Sequence, residues 1–410
     1  MATSKSVLVI NSGSSSLKYA LFDLGKTATC IYQGLVDGIG TSKSFISHRN
    51  VPASHHITLQ AADCTDHKQG LKRVLELLNF GKGCSGIAAV GHRVVHGGET
   101  LTEPTIITHS VKRAIEKAIP LAPLHNPPNL QGIRDAEEIF DCPQVAVFDT
   151  AFHGTMPPKA YMYAIPFQLY KELGVRRYGF HGTSYEYLLE QTGYVLNKPK
   201  DDLNLIIFHL GAGASMAAIK QGKCIDTTMG LTPLPGLVMA TRSGDIDPAI
   251  WQMLATEKGL SNEEISTMLN KESGMFGLCG EKDMRAVWDA IEEGSKQHKL
   301  ALDVFIHRIR TYLGAYLVHL QGKVDALVFS AGIGEASART RRCICEGLEG
   351  FGIEIDAGKN TEGKSKKPMQ IHKESSKIKI LVIQTDEELH IARQTLQVIN
   401  SHYQITSRGA

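Results

Sequence analysis

An apolar strand running into a glycine or serine turn occurs three times in this chain, and nothing else limits its folding as much. The first copy is Val7-Leu8-Val9-Ile10, then Asn11 to Ser16, then Leu17 to Phe22. The second is Leu205-Ile206-Ile207-Phe208, then His209-Leu210-Gly211-Ala212-Gly213, then Ala214 to Ile219. The third is Ala326-Leu327-Val328-Phe329, then Ser330-Ala331-Gly332-Ile333-Gly334, with a helix-like stretch from Glu335. Such turns let backbone N–H groups close around an anion, because no Cβ stands in the way. One turn of this kind means little, since glycine also ends ordinary strands. Three at these separations point to a duplicated fold built around a nucleotide or polyphosphate.

A chain of 410 residues exceeds one hydrophobic core and is expected to form two domains. Runs rich in Val, Ile and Leu read as strands at 7–10, 17–22, 31–36, 144–148, 205–208, 214–219, 324–329 and 378–383. Helical periodicity marks 111–119, 134–140, 248–255, 263–269, 300–320 and 387–398. This alternation predicts an α/β protein with mixed sheets covered by helices. The polar, histidine-rich stretch 41–70 reads as irregular surface or an edge strand, and 358–376 as a charged, mobile loop. The domain boundary is expected near 151–155, where a buried strand gives way to Pro157-Pro158.

Charge excludes some partners. Against 44 basic residues stand 42 acidic ones, a net charge of +2 that favours neither nucleic acid nor an anionic membrane. The opening Met-Ala-Thr-Ser-Lys-Ser lacks the apolar segment of a signal peptide, and no run of about 18 apolar residues predicts a membrane span. Cysteines 30, 64, 84, 142, 224, 279, 343 and 345 are scattered without a CxxC pair, as expected of reduced thiols in the cytoplasm.

Several polar boxes sit in turns stiffened by glycine or proline. In Gly91-His92-Arg93-Val94-Val95-His96-Gly97-Gly98-Glu99, an extended chain sends Arg93 and Val95 to one side and the histidines to the other. The His-x-x-x-His spacing lacks the glutamate of a zinc-protease helix, so both histidines read as hydrogen-bonded structural groups. Arg93 suits bidentate capture of a carboxylate or phosphate, or else a surface ion pair. Prolines hold His125 in Leu121-Ala122-Pro123-Leu124-His125-Asn126-Pro127-Pro128-Asn129, a rigid turn. Asp149 ends a buried strand, a position that often faces a ligand crevice in α/β folds. His181 lies between Gly179 and Gly182, and Arg242 precedes a helix for which Asp245 and Asp247 read as caps. Two arginines, several histidines and an aspartate in stiff turns suit a highly charged phosphoryl-transfer transition state. No G-x-x-x-x-G-K-[ST], G-x-G-x-x-G or G-x-S-x-G occurs, so phosphate binding falls to the glycine hairpins.

These boxes resemble the acetate kinase family of the actin–hexokinase–Hsp70 phosphotransferase class. The matching stretches are VLVINSGSSSLKYALFD, GHRVVHGGE, LAPLHNPPN, VAVFDTAFH, GVRRYGFHGTS, DTTMGLTPLPGLVMATRSGDIDPA, KESGMFG, DALVFSAGIGE and DEELHIA, in order from residue 7 to 392. The resemblance implies a duplicated actin-like (ribonuclease H-like) α/β fold with a nucleotide cleft between two domains. Residues 1–151 would form the first domain, with the helix 387–410 packing back on it, and 152–386 the second, carrying most of the nucleotide site. It also implies a homodimer. Asn11 and Glu387 match the positions that handle magnesium (manganese being the alternative), and Lys18 a lysine near the phosphates. Arg93 and Arg242 match the arginines for the carboxylate and the transferring phosphoryl group, His181 a transition-state histidine and Asp149 the essential aspartate. His125 matches another active-site position, and Val95, Leu124, Phe180 and Pro233 the apolar pocket for the acyl methyl. The segments His209-Leu210-Gly211-Ala212-Gly213, Asp283-Met284-Arg285 and Gly332-Ile333-Gly334-Glu335-Ala336 match nucleotide contacts.

Departures from the family pattern concern mainly the nucleotide. The usual GNGAS has Ala212 for Asn, GIGEN has Ala336 for Asn, TPLEG has Pro235 for Glu, and the Asn before the paired glutamates is Asp386. Each lost amide removes a hydrogen bond of roughly 0.5–1.5 kcal/mol. The expected function is magnesium-dependent transfer from ATP to acetate, giving acetyl phosphate and ADP. The alternatives are pyrophosphate as donor, propionate as acceptor, a non-catalytic nucleotide-binding module, or a phosphatase in which water replaces acetate.

Overall fold

Val7-Leu8-Val9-Ile10 is apolar without a break because both faces of its strand are covered. Val7 and Val9 pack with Ala89, Val145, Val147, Ile391 and Ile399, whereas Leu8 and Ile10 pack with Leu71, Val74 and Phe140 on the other side. The computed structural model describes residues 6–25, 28–60, 64–78 and 86–408. Cys84, residues 61–63 of the histidine-rich stretch and the two ends, 1–5 and 409–410, lie outside the described residues. The chain divides into two compact units, Met1–Phe152 with Asp386–Ala410, and His153–Thr385.

The strands of the first unit are β1 (Ser6–Ser12), β2 (Ser16–Asp23), β3 (Thr29–Asp37), β4 (Phe45–Asn50), β5 (His55–Gln60), β6 (Ile87–Val94), β7 (Thr105–Ile106) and β8 (Gln144–Phe148). They form one sheet in the order β5-β4-β3-β2-β1-β6-β8-β7. In the second unit β9 (Leu205–Leu210), β10 (Ala214–Lys220), β11 (Lys223–Thr227), β12 (Ala326–Ser330), β13 (Met369–Gln370) and β14 (Lys379–Val382) are ordered β11-β10-β9-β12-β14-β13. The duplication is explicit in the pairing. β1, β2 and β3 form an antiparallel meander, followed by β6 and β8 parallel to β1. β9, β10 and β11 repeat that meander, followed by β12 and β14 parallel to β9. The duplicated actin-like α/β fold is therefore the fold observed.

The chain differs from the sequence reading in places, each for a local reason. The box Gly91 to Glu99 begins inside β6, a central strand between β1 and β8. Gly91 is required there, because a Cβ would stand 2.4 Å from Thr395 Oγ1 on the helix Glu387–Arg408, which lies against β1, β6 and β8. The stretch 41–70 contains β4, the edge strand β5 and the start of the helix His67–Leu77, capped by Asp66. The proline-rich turn after His125 opens the helix Asn126–Glu137, with prolines in its first turn where no N–H partner is needed. The helix of the third glycine copy starts at Ala331, four residues earlier than expected. The loop expected to be mobile is tied down. Buried Arg341 donates to Asn360 Oδ1 and to the carbonyls of Thr361, Gly334 and Glu335, and Gly363 N–H bonds the carbonyl of Ala336.

Candidate active site

In the first unit, β6 and β8 are parallel neighbours with Val94 opposite Phe148, so their C-terminal ends coincide. Arg93 and Asp149 meet there. Arg93 Nε donates to Asp149 Oδ1 at 3.0 Å and Nη2 to Oδ2 at 2.5 Å, a two-pronged pair. The Asp149 side chain is 2% exposed and that of Arg93 23%, so the guanidinium reaches outward from a buried carboxylate. Burial works against the Arg93 charge, but Asp149 and Glu387 outweigh it and hold the guanidinium firmly charged. The aspartate thus orients a cation, and that cation is Arg93.

The histidines of the box are structural. His92 bonds Gln144 Oε1 at 2.7 Å through Nε2, and His96 Nδ1 accepts from Gly98 N–H at 2.9 Å. Two asparagines that the sequence reading passed over hold the segment after Arg93. Asn129 Oδ1 accepts from Val95 N–H and Asn126 Oδ1 from His96 N–H, at 3.0 and 3.1 Å. Asn129 Nδ2 also donates to the Ser12 carbonyl at 2.7 Å, tying the first strand–turn to the same helix. The N-P-P-N spacing, two amides bracketing prolines at a helix start, was the available signal. Val95 is buried by this arrangement, whereas Leu124 is 63% exposed. His125 stands at the N-cap of the asparagine-bearing helix.

Asn11 and Lys18 face each other across the β1–β2 hairpin. Lys18 forms an ion pair with Glu388, and Asp386 caps the following helix by accepting Leu389 N–H at 2.9 Å. One oxygen of the Asp386 carboxylate is thus engaged at the helix start. Burial first, then Asp149 and Glu388, push the Glu387 carboxyl up to about 7, while Arg93 and Lys18 pull the other way. Among the described residues no group of three or more His, Cys, Asp or Glu could cage a metal ion. Magnesium needs no such cage, because one or two carboxylates suffice when nucleotide phosphates and water complete the shell. A carboxylate crowded by two others fits that use.

In the second unit β9 and β10 pair so that Ser215 lies opposite His209. His181, at φ 58° on the N-cap of the helix Gly182–Leu196, stacks on His209 with ring centroids 4.1 Å apart. Its Nδ1 lies 2.8 Å from Ser215 Oγ. A Cβ placed on Gly213 would stand 3.5 Å from His181 Nε2 and 3.7 Å from Arg242 Nη1, so both groups border one spot beside that glycine. Arg242 Nη1 donates to the Pro233 carbonyl at 3.2 Å. Burial lowers the affinity of Arg242 for its proton, and among the described residues no carboxylate forms a salt bridge with it. Phe180 is buried next to His181, and its carbonyl lies 2.8 Å from His153 Nε2. Asp247 lies one position before the N-cap, Pro248, and accepts Ala249 N–H at the start of the next helix. Asp245, read as a cap, takes Gly236 N–H, Arg308 and Tyr312 instead, bracing the loop that carries Arg242.

A cavity of about 850 Å³ lies wholly in this unit. Gly211 and Ala212 of the β9–β10 turn line it, as do Asp283 to Arg285, Gly332, Ile333 and Ala336. His209, Leu210, Gly213, Gly334 and Glu335 belong to the same segments but not to its lining. Asp283 caps its helix and pairs with Arg285, and buried Glu335 accepts from Ala331 and Thr385 N–H, a strut within the turn. Trp288, Arg339, Glu362 and Lys364 also line the cavity and were not anticipated. Nothing in their local sequence marks them; the loop 360–364 is brought to the wall by Arg341, by Gly363 N–H on the Ala336 carbonyl and by Arg339 N–H on Glu362.

The sequence profile of the acetokinase family matches residues 6–393. Over 402 residues, 96% of this chain and 99% of its counterpart, the sequence is 48% identical to the acetate kinase of Oleidesulfovibrio alaskensis. The crystal structure of Porphyromonas gingivalis acetate kinase superposes with a TM-score of 0.90 at 41% identity, covering 96% of this chain and 99% of that one. A propionate kinase from Francisella tularensis superposes with a TM-score of 0.89, also at 41% identity and with the same coverage. Among the described residues no helix is long and apolar enough to cross a membrane.

Proposed function

The chain belongs to the acetokinase family, and on that footing we propose that it transfers the γ-phosphoryl group of ATP reversibly to acetate, giving acetyl phosphate and ADP. One observation carries the reading. Partly buried Arg242, without a carboxylate salt bridge among the described residues, borders the same spot as His181 Nε2. A partly desolvated cation lacking a counter-charge is a site for an anion, and a phosphoryl group in flight is such an anion.

The chemistry needs little else. Acetate is already ionised at neutral pH, so no base must activate it, and the obstacle is repulsion between carboxylate and polyphosphate. Arg93, held outward by Asp149, binds the carboxylate, and Val95, Leu124, Phe180 and Pro233 are assigned to its methyl group on family resemblance. Arg242 and His181 stabilise the equatorial oxygens during in-line transfer. His125 is assigned to the same acyl site. The turns at His209–Gly213 and Gly332–Ala336, with Asp283, Met284 and Arg285, bind the nucleotide, and Lys18 serves its phosphates. Magnesium would be held by Asn11 and Glu387 together with the phosphates, and would supply charge neutralisation there. We take residues 1–151, with the last helix 387–410, as the first domain and 152–386 as the second, carrying most of the nucleotide site. We also propose a cytoplasmic homodimer, on family resemblance.

Propionate is the second reading for the acceptor, because the propionate kinase superposes nearly as well as the acetate kinase. A methylene-sized mismatch against Val95 favours acetate by about 1–3 kcal/mol. The test is acyl phosphate formation from acetate, Mg²⁺ and either ATP or pyrophosphate, with propionate and carboxylate-free controls. Acetyl phosphate from ATP supports the proposal. Product from pyrophosphate alone would move the donor, and nucleotide binding without product would leave a non-catalytic module.

A further inference from the structure

The helix Gly182–Leu196 does more than present His181 at its start. Its first turn returns to the same imidazole by a second route. Tyr185 lies one turn on, its N–H bonded to the His181 carbonyl at 3.0 Å, and its hydroxyl is 2.5 Å from Ser215 Oγ. Ser215 Oγ in turn is 2.8 Å from His181 Nδ1. Tyr185 and Ser215 are both fully buried. A phenol is a far stronger acid than an alkanol and hence the better donor, so Tyr185 donates and Ser215 accepts. That leaves the serine proton directed at Nδ1, which can accept it only if the ring proton sits on Nε2.

We propose that Tyr185 and Ser215 form a hydrogen-bond relay that keeps His181 neutral with its proton on Nε2, the nitrogen bordering the spot beside Gly213. This deepens the proposed function and rests on the assignment of His181 to the transferring phosphoryl group. The relay makes His181 a donor without a second positive charge. Three neighbours bear on that charge: Arg242 Nη1 beside the same glycine, His209 stacked on the ring, and Tyr185 behind Ser215. Burial pushes the Tyr185 hydroxyl far above its ordinary range, so it remains a donor throughout the working pH range. His209 receives matching support from the same turn, through Ser184 Oγ at 2.8 Å from its Nδ1. Tyr185 and Ser215 are positioning residues, acting only through the imidazole.

The test is ¹⁵N NMR of the full-length protein at pH 8, with the His181 signals assigned by their loss in His181→Asn. The expected spectrum shows Nε2 protonated and Nδ1 bare. Protonation on Nδ1, or on both nitrogens, would overturn the relay with no variant needed. In Tyr185→Phe, which keeps the ring, both tautomers should appear, with kcat lower by roughly tenfold and KM for ATP unchanged. An unchanged tautomer, or a changed tautomer with wild-type kcat, also overturns it. Full activity in His181→Ala would sink the assignment of His181 instead, while the NMR result would still decide the relay.

Discussion

The two arginines assigned to the reaction sit in duplicated halves of one fold, yet their surroundings are opposite. Arg93 leaves the first sheet already neutralised, both prongs of its guanidinium on Asp149. Arg242 leaves a loop of the second unit partly buried, with a carbonyl and a methionine sulfur as partners but no carboxylate salt bridge among the described residues. The first arginine is built into the protein and fixed in direction before any ligand arrives. The second carries an unmet charge that a ligand must satisfy. The counter-charge of Arg93 is supplied by the protein, and that of Arg242 is left to a ligand.

If this contrast is right, changes at the two arginines affect different properties. Arg242→Ala should lower acyl phosphate formation by roughly 10³-fold, while the protein melts no earlier than wild type, because a partly desolvated charge without a counter-charge is removed. A clear drop in melting temperature would mean that Arg242 is structurally paired after all. Glu387 tests the charge balance of the first unit by pH. Its carboxyl is raised from 4.5 to about 7, so between those values the folded state binds a proton that the unfolded state has lost. Stability therefore falls as pH rises through this window. Glu387→Gln should match wild type at pH 4 and exceed it at pH 8 by up to about 3 kcal/mol in urea unfolding. Equal stability at both pH values would refute the crowding of carboxylates there.

Asp149→Asn should cost about 2 kcal/mol of stability along with activity, less than for a fully buried pair because Arg93 remains partly exposed. Stability within a few tenths of wild type would show that the pair serves ligand binding alone. The smallest effect concerns the nucleotide. Ala336→Asn restores an amide at the cavity wall and should tighten ATP binding by about 0.5–1.5 kcal/mol in calorimetry, with KM for acetate unmoved. Weaker binding would imply that this cavity is shaped around the missing amide.

Much of the arrangement was legible in the linear sequence because it is local. Unbroken apolar runs marked β1, β9 and β12 as strands buried on both faces, and the turns after the first two marked their hairpins. Other features involve partners remote in the chain. Asn126 and Asn129 looked like parts of a proline turn, but their amides work on residues 30 and 34 positions away. Tyr185 carries no motif and Ser215 merely ends the stretch matched to GNGAS, so only the β9–β10 register with the helix above it brings them to His181. Asp245 read as a helix cap because caps follow a sequence rule, whereas Arg308 and Tyr312 reach it from the long helix Lys296–His319.

The sequence alone determined the duplicated α/β class and the types of side chain available, since strand periodicity, turn composition and charged boxes are read over a few residues at a time; the acyl-kinase chemistry came from the resemblance of those boxes, taken in order, to a known family. Tertiary structure decided that Asp149 orients Arg93, that Arg242 has no salt-bridge partner among the described residues, and that His181 is held from Nδ1. Each of these depends on which distant groups share a desolvated space, and burial and direction there set charge and proton position.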